Sequence, residues 1–190
     1  MEPGAKGRNQ EPRRTREKRA ARSEDANLVL IGMPAVGKST IGVLLAKAVS
    51  RDFIDTDVYI QAREGRSLQE IIDRQGLEEF CRIEERHVRS LSCRGQVVAT
   101  GGSVVYSAAA MNHLRTCGAV VHLTLDLLSI KKRLTNLDSR GLVMAPGKTI
   151  DFLYRERMPL YRKYADFTVN CRGKTHEEIV AEIIKKVKIL

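Results

Sequence analysis

From residue 27 onward the chain alternates short apolar runs with longer stretches whose apolar residues recur at helical spacing. Asn27-Leu28-Val29-Leu30-Ile31 is almost continuously apolar, as a strand buried on both faces requires, and it stops at Gly32. Ser39 to Ala48 repeats apolar residues on a helical period, and Asp52-Phe53-Ile54-Asp55 reads as a second strand. Residues 57 to 93 read as helical, with Ser67 and Glu70 spaced as a capping box and Gly76 expected to divide two helices. Further on, the pattern predicts strands at 96–100, 119–123 and 167–170. Helices are expected from Ser107 to about 116, over about 126–134 and 150–164, and after a capping box at Thr175 and Glu178.

Five strands separated by helices imply an α/β fold, a three-layer α/β/α sandwich around a five-stranded parallel sheet with ligands at the carboxyl ends of the strands. Residues 136 to 149 lose the period and gain Gly, Pro and charge, which marks a candidate lid loop. No internal repeat and no second domain is visible, so residues 23–190 are expected to form one catalytic domain.

Composition adjusts this picture in two places. Half of the net charge of +10 sits in residues 1–22, which hold eight Lys/Arg against three Glu and have no apolar period. That segment is expected to be a disordered basic tail, a solvated extension with nucleic-acid contact disfavoured. No run approaches the roughly 18 to 20 apolar residues of a membrane span, so the reading is a soluble, cytoplasmic protein with no membrane partner. The cysteines Cys81, Cys93, Cys117 and Cys171 show no paired spacing and read as reduced thiols. His87, His113, His122 and His176 likewise lack metal or triad spacing and read as packing residues.

The chemistry enters at Gly32-Met33-Pro34-Ala35-Val36-Gly37-Lys38-Ser39, a Walker A pattern placed between a strand and a helix start. Glycines at both ends let successive N–H groups turn toward phosphate, and the helix N-terminus adds positive potential. Lys38 reaches the terminal phosphates of ATP, and Ser39 offers a hydroxyl to Mg²⁺. Asp55 and Asp57 follow at the end of the second strand, where one carboxylate can hold Mg²⁺ and another can orient or deprotonate an attacking hydroxyl.

With these residues stand Phe80-Cys81-Arg82-Ile83-Glu84-Glu85, Ala99-Thr100-Gly101-Gly102-Ser103, Arg140, and Arg157-Met158-Pro159-Leu160-Tyr161. Together they make residues 27 to 188 resemble shikimate kinase, a small member of the nucleoside-monophosphate-kinase-like P-loop group. The resemblance implies phosphorylation of shikimate to shikimate 3-phosphate by ATP with Mg²⁺, on the route to chorismate and the aromatic amino acids, by a monomer. It implies that Gly32, Pro34 to Ser39 and Thr40 hold the nucleotide with Arg133 near adenine, and that Asp55 and Ser39 serve the metal. It assigns catalysis to Lys38, Asp57 and Arg140, and acceptor binding to Asp57, Gly101, Gly102, Arg140 and Arg157.

Three positions depart from the family pattern. Cys81 stands where the family has an arginine that binds the shikimate carboxylate, and a thiol supplies no forked cationic donor. The neighbouring Arg82 is turned about 100° away on a helix. Ser103 replaces the third glycine of a triplet, and the lid reads Arg140-Gly141-Leu142 in place of Arg-Pro-Leu. The alternatives are therefore a related kinase for another small hydroxy acid or metabolite, and a nucleotide-binding protein without catalysis. A nucleoside monophosphate kinase fits the Asp55-Thr56-Asp57 and Arg157 segments less well.

Overall fold

The structure is a computed structural model that describes residues 26–92, 94–135 and 148–188. The basic tail, residues 136–147 of the expected lid with Arg140, and Cys93 lie outside the described residues. The elements run β1 (Asn27–Ile31), α1 (Lys38–Val49), β2 (Phe53–Asp55), α2 (Thr56–Glu64), α3 (Leu68–Ser90), β3 (Val97–Ala99) and a 3₁₀ turn (Val104–Tyr106). Then come α4 (Ala108–Cys117), β4 (Gly118–Thr124), α5 (Leu127–Thr135), α6 (Ile150–Tyr164), β5 (Phe167–Asn170) and α7 (His176–Lys188).

All pairings are parallel and the sheet order is β2-β3-β1-β4-β5. The apolar run of β1 is buried at every residue because it is the central strand, with β3 on one side and β4 on the other. β2 and β5 are the edges, and their side chains are less buried. Leu30 pairs with Ala99, which pairs with Asp55, so the carboxyl ends of β1, β3 and β2 lie at one level and their loops open side by side. The Thr100 N–H and hydroxyl both donate to the Leu30 carbonyl (3.1 and 3.0 Å), and the Gly101 N–H donates to Thr56 Oγ1 (3.0 Å). These bonds lock the loop after β3 to both neighbours.

The helical stretch expected over 57–93 divides twice, at Gly65 as well as at Gly76. Gly65 takes a left-handed φ of +63° and ends α2, and Ser67 then opens α3 with a complete capping box. Gly76, at φ +83° and ψ 165°, leaves helical geometry and kinks α3 into two helices, the division expected from the sequence. Ile60, Leu68, Ile71, Phe80 and Ile83 form a small core of their own, with Leu77 and Cys81 packed against it. This second core fixes the helices that wall the site opposite the phosphate loop.

Candidate active site

The phosphate loop owes its path to backbone geometry. Gly32 has φ +149°, and a Cβ there would collide with the Leu123 carbonyl of β4, so only glycine allows the turn beneath the strand ends. Gly37, at φ +103°, precedes α1, whose start has no side-chain cap and no acidic residue in its first turn. The leading N–H groups are thus left for an anion. Pro34 and Ala35 are partly buried, Val36 is buried, and Ser39 and Thr40 are exposed at the first turn. Lys38 is only 9% exposed, and its Nζ donates to the Gly32 and Met33 carbonyls (2.9 and 3.0 Å). From α5, Arg133 Nη1 donates to the Ala35 and Val36 carbonyls (3.2 and 3.1 Å), so in this structure it clasps the loop from outside.

The acceptor side is built by β2, α3, the loop after β3, and α6. Asp55 caps α2, its Oδ1 accepting the Asp57 and Val58 N–H groups (2.9 and 3.3 Å), which leaves its second oxygen available. Asp57 then points across to Gly101, where a Cβ would lie 2.7 Å from Asp57 Oδ1 and would collide with Glu84 Oε1. Gly101 is therefore the gap through which two carboxyls meet. A Cβ at Gly102 would sit 3.0 Å from Arg157 Nη1 and 3.2 Å from Pro34 Cδ, so Gly102 brings Arg157 beside the phosphate loop. Arg157 is only 2% exposed; its Nε donates to Tyr106 Oη (3.0 Å), and its guanidinium lies 5.0 Å over the Tyr106 ring. Tyr161 Oη donates to the Gly102 carbonyl (2.7 Å), while its ring stacks on His122.

Burial tunes these charges. Desolvation lowers Lys38 to about 8, against the attraction of Asp57, Asp55 and Glu84. It raises Asp57 to about 6, with Lys38 opposing and Asp55 assisting. Glu84 is pushed up to about 7 by burial, with the Ser103 hydroxyl and the cations opposing and Asp57 assisting. Ser103 Oγ and Glu84 Oε1 are both buried and neither has a hydrogen-bond partner, so the hydroxyl lies near the carboxyl without being aligned to it. His122 is held neutral, lowered to about 4 by burial, as a packing residue would be.

A cavity of about 190 Å³ adjoins this cluster, walled by Cys81, Ser103, Tyr106, Lys148, Glu156 and Arg157 together with Leu77 and Leu153. That size lies below the roughly 300–1,000 Å³ of drug-sized sites and suits a small molecule. Two of the three departures thus face one space. Cys81 contributes a neutral thiol, raised to about 11 by burial and by Glu84. Arg82 points away, its side chain 67% exposed and paired with Glu78 (2.6 Å) and Glu79 (3.2 Å).

The structure brings together Lys38, Asp55, Asp57, Gly101, Gly102 and Arg157, and sets Arg133 on the loop; Arg140 lies outside the described residues. Sequence reasoning gave no role to Tyr106, Tyr161, Lys148 or Glu84. Glu84 stood in a quoted motif, and Tyr161 ended another, but Tyr106 and Lys148 carried no local signal. Among the described residues no group of three or more His, Cys, Asp or Glu is placed to hold a metal. The oxygens of Ser39 and Asp55 fit instead the sparse protein ligation of Mg²⁺, which keeps waters and takes substrate phosphates.

The profile of one protein family, shikimate kinase, matches residues 34–188. A shikimate kinase of Thiobacillus denitrificans is 38% identical, covering 88% of this chain and 93% of its own. One of Thermodesulfovibrio yellowstonii is 36% identical, covering 86% and 96%. Among solved structures, the shikimate kinase of Acinetobacter baumannii in complex with shikimate superposes with a TM-score of 0.79 at 26% identity, over 89% of this chain and 95% of that one. The Aquifex aeolicus shikimate kinase gives 0.73 at 32% identity, over 85% and 96%.

Proposed function

The chain belongs to the shikimate kinase family, and from that premise we propose that its site moves the γ-phosphoryl group of ATP to a hydroxyl of shikimate, giving shikimate 3-phosphate. It is an ATP-dependent kinase. The observation that carries the reading is the meeting of Lys38, Asp57 and the buried Arg157 around Gly101 and Gly102, at the mouth of a small cavity.

In our assignment the α1 N-terminus and Lys38 bind the β- and γ-phosphates, and Ser39 with the second oxygen of Asp55 would hold Mg²⁺, which supplies charge neutralisation on those phosphates. Arg157 takes the acceptor carboxylate, and Asp57 orients the hydroxyl and accepts its proton. The new bond joins the acceptor oxygen to the γ-phosphorus as the bridging bond to the β-phosphate breaks, so ADP departs with the electron pair. Arg140 is assigned to the transferring phosphoryl group, whose developing charge a guanidinium neutralises. Arg133, beyond steadying the loop, is assigned to the adenine side.

We also propose a cytoplasmic monomer; among the described residues no helix is long and apolar enough to cross a membrane. Cys81 and Ser103 on the cavity wall favour one second reading, a kinase of the same mechanism for another small hydroxy acid. ADP release with ATP, Mg²⁺ and shikimate, beside a panel of other hydroxy acids and nucleoside monophosphates, separates the two. Shikimate-dependent release is expected, and release with another acid alone would move the assignment.

The pH profile follows from the same cluster. Asp57, raised to about 6, must be ionised, and Lys38, lowered to about 8, must be protonated. In the free enzyme, kcat/KM for ATP should be bell-shaped, falling below about pH 6 to 7 and above about pH 8. The acid limb belongs to Asp57 and Glu84 as a pair. Bound triphosphate favours protonated Lys38, so the alkaline limb of kcat should move upward relative to that of kcat/KM; identical alkaline limbs would contradict the assignment of Lys38 to phosphate.

A further inference from the structure

The cavity beside Arg157 must receive the acceptor's carboxylate if the kinase reading holds, and one guanidinium is a partial answer to that charge. Cys81 faces the space with a neutral thiol, and Arg82 is held outside by its own ion pairs. Among the described residues the cations on the wall are Arg157 and Lys148. Lys148 lies just before Thr149, the N-cap of α6, and its ammonium stands 3.5 Å from Glu156 Oε1 and 4.2 Å over the Phe152 ring.

The wall is a connected chain. Arg157 Nε donates to Tyr106 Oη, Tyr106 Oη donates to Glu156 Oε2, and Glu156 Oε1 pairs with Lys148. Glu156 therefore holds the two cations in relation to each other along one side of the cavity. With two positive groups and one negative, that side carries a net positive charge, which suits an occupant with a single carboxylate. The Lys148 side chain is 38% exposed, so its ammonium keeps the freedom to exchange Glu156 for an entering anion.

We propose that Lys148 is the second cationic anchor of the acceptor carboxylate, acting with Arg157 where residue 81 supplies no cation. The inference rests on the kinase reading and deepens it. The anchor acts on binding of the acceptor and not on the phosphoryl group, so its loss should appear in one Michaelis constant only. It also accounts for how a shikimate-type acceptor is tolerated beside Cys81.

The test is steady-state kinetics with shikimate and ATP varied in turn, for the wild type, Lys148→Met, Lys148→Arg and, as a surface control in the last turn of α6, Lys163→Met. Lys148→Met is expected to raise KM for shikimate about 10- to 100-fold, the range of a lost charge-assisted contact. Its kcat should stay within about twofold and its KM for ATP unchanged. Lys148→Arg should retain KM within about threefold. An unchanged KM for shikimate in Lys148→Met, or an equal rise in Lys163→Met, overturns the anchor and leaves the kinase reading standing. A wild type that does not turn over shikimate overturns the substrate assignment itself, and the anchor falls with it.

Discussion

Lys38→Met is expected to lower kcat/KM for ATP by about 10³-fold or more while the circular dichroism spectrum stays that of the wild type. Methionine keeps the length of the stem and removes the three donors and the charge. Two functions go together. The Nζ that now donates to the Gly32 and Met33 carbonyls shapes the loop before nucleotide arrives, and the same ammonium is the charge that meets the terminal phosphates. Stability should not fall in proportion. A lysine lowered from 10.5 to about 8 is disfavoured in its charged form, so its cost to the fold is full below pH 8 and is relieved as pH rises toward 10.5. The variant sheds that cost and leaves two carbonyls without their donor, opposing effects of similar size. The discriminating measurement is the ATP-induced rise in melting temperature, which should shrink markedly in Lys38→Met. A full rise with unchanged turnover would remove Lys38 from the mechanism.

What the sequence revealed follows from how local each cause is. The five strands and the phosphate loop were legible because burial on both faces writes a continuous apolar run, and because the loop's geometry depends on glycines seven residues or fewer apart. The end of α2 at Gly65 was missed, since a glycine in an otherwise helical period looks like a tolerated interruption, and the unobstructed left-handed turn at that position is a three-dimensional fact. The site divides in the same way. Asp55 and Asp57 flank one residue and could be paired by eye, but Glu84 reaches Asp57 only because Gly101, from a third element, leaves room. Tyr106, Glu156 and Lys148 form their chain across 50 residues, with no periodicity to announce it. The departure at Cys81 was visible, and the exclusion of Arg82 was expected from helix rotation. Which cation faces the cavity in its place was not legible, because Lys148 sits at a helix entry where lysine is ordinary.

Asp57→Asn is the second large effect, and its two readouts should move in opposite directions. Asparagine has nearly the same shape but cannot take a proton from the acceptor hydroxyl, so kcat is expected to drop by about 10² to 10⁴ with KM for ATP within about threefold. The residual rate should lose the acid limb that Asp57 imposes, leaving only the titration of Glu84. Stability should rise. A carboxyl raised from 3.8 to about 6 favours its neutral form in the fold, so the ionised form costs stability above pH 6, and that cost is regained as pH falls through 6 toward 3.8. Allowing for partial solvent contact, it is on the order of 1 to 2 kcal/mol, or about 2 to 6 °C in melting temperature at pH 7.5. At pH 4 the gain should nearly vanish, because the wild-type carboxyl is then neutral as well. A residue that merely supported the loop would lose activity and stability together. Inactivity joined to a pH-dependent gain in stability is instead the behaviour of a charge held against its solvation for the reaction, a cost that folding alone gives no reason to keep. An inactive variant that melts lower than the wild type at pH 7.5 would refute that role for Asp57.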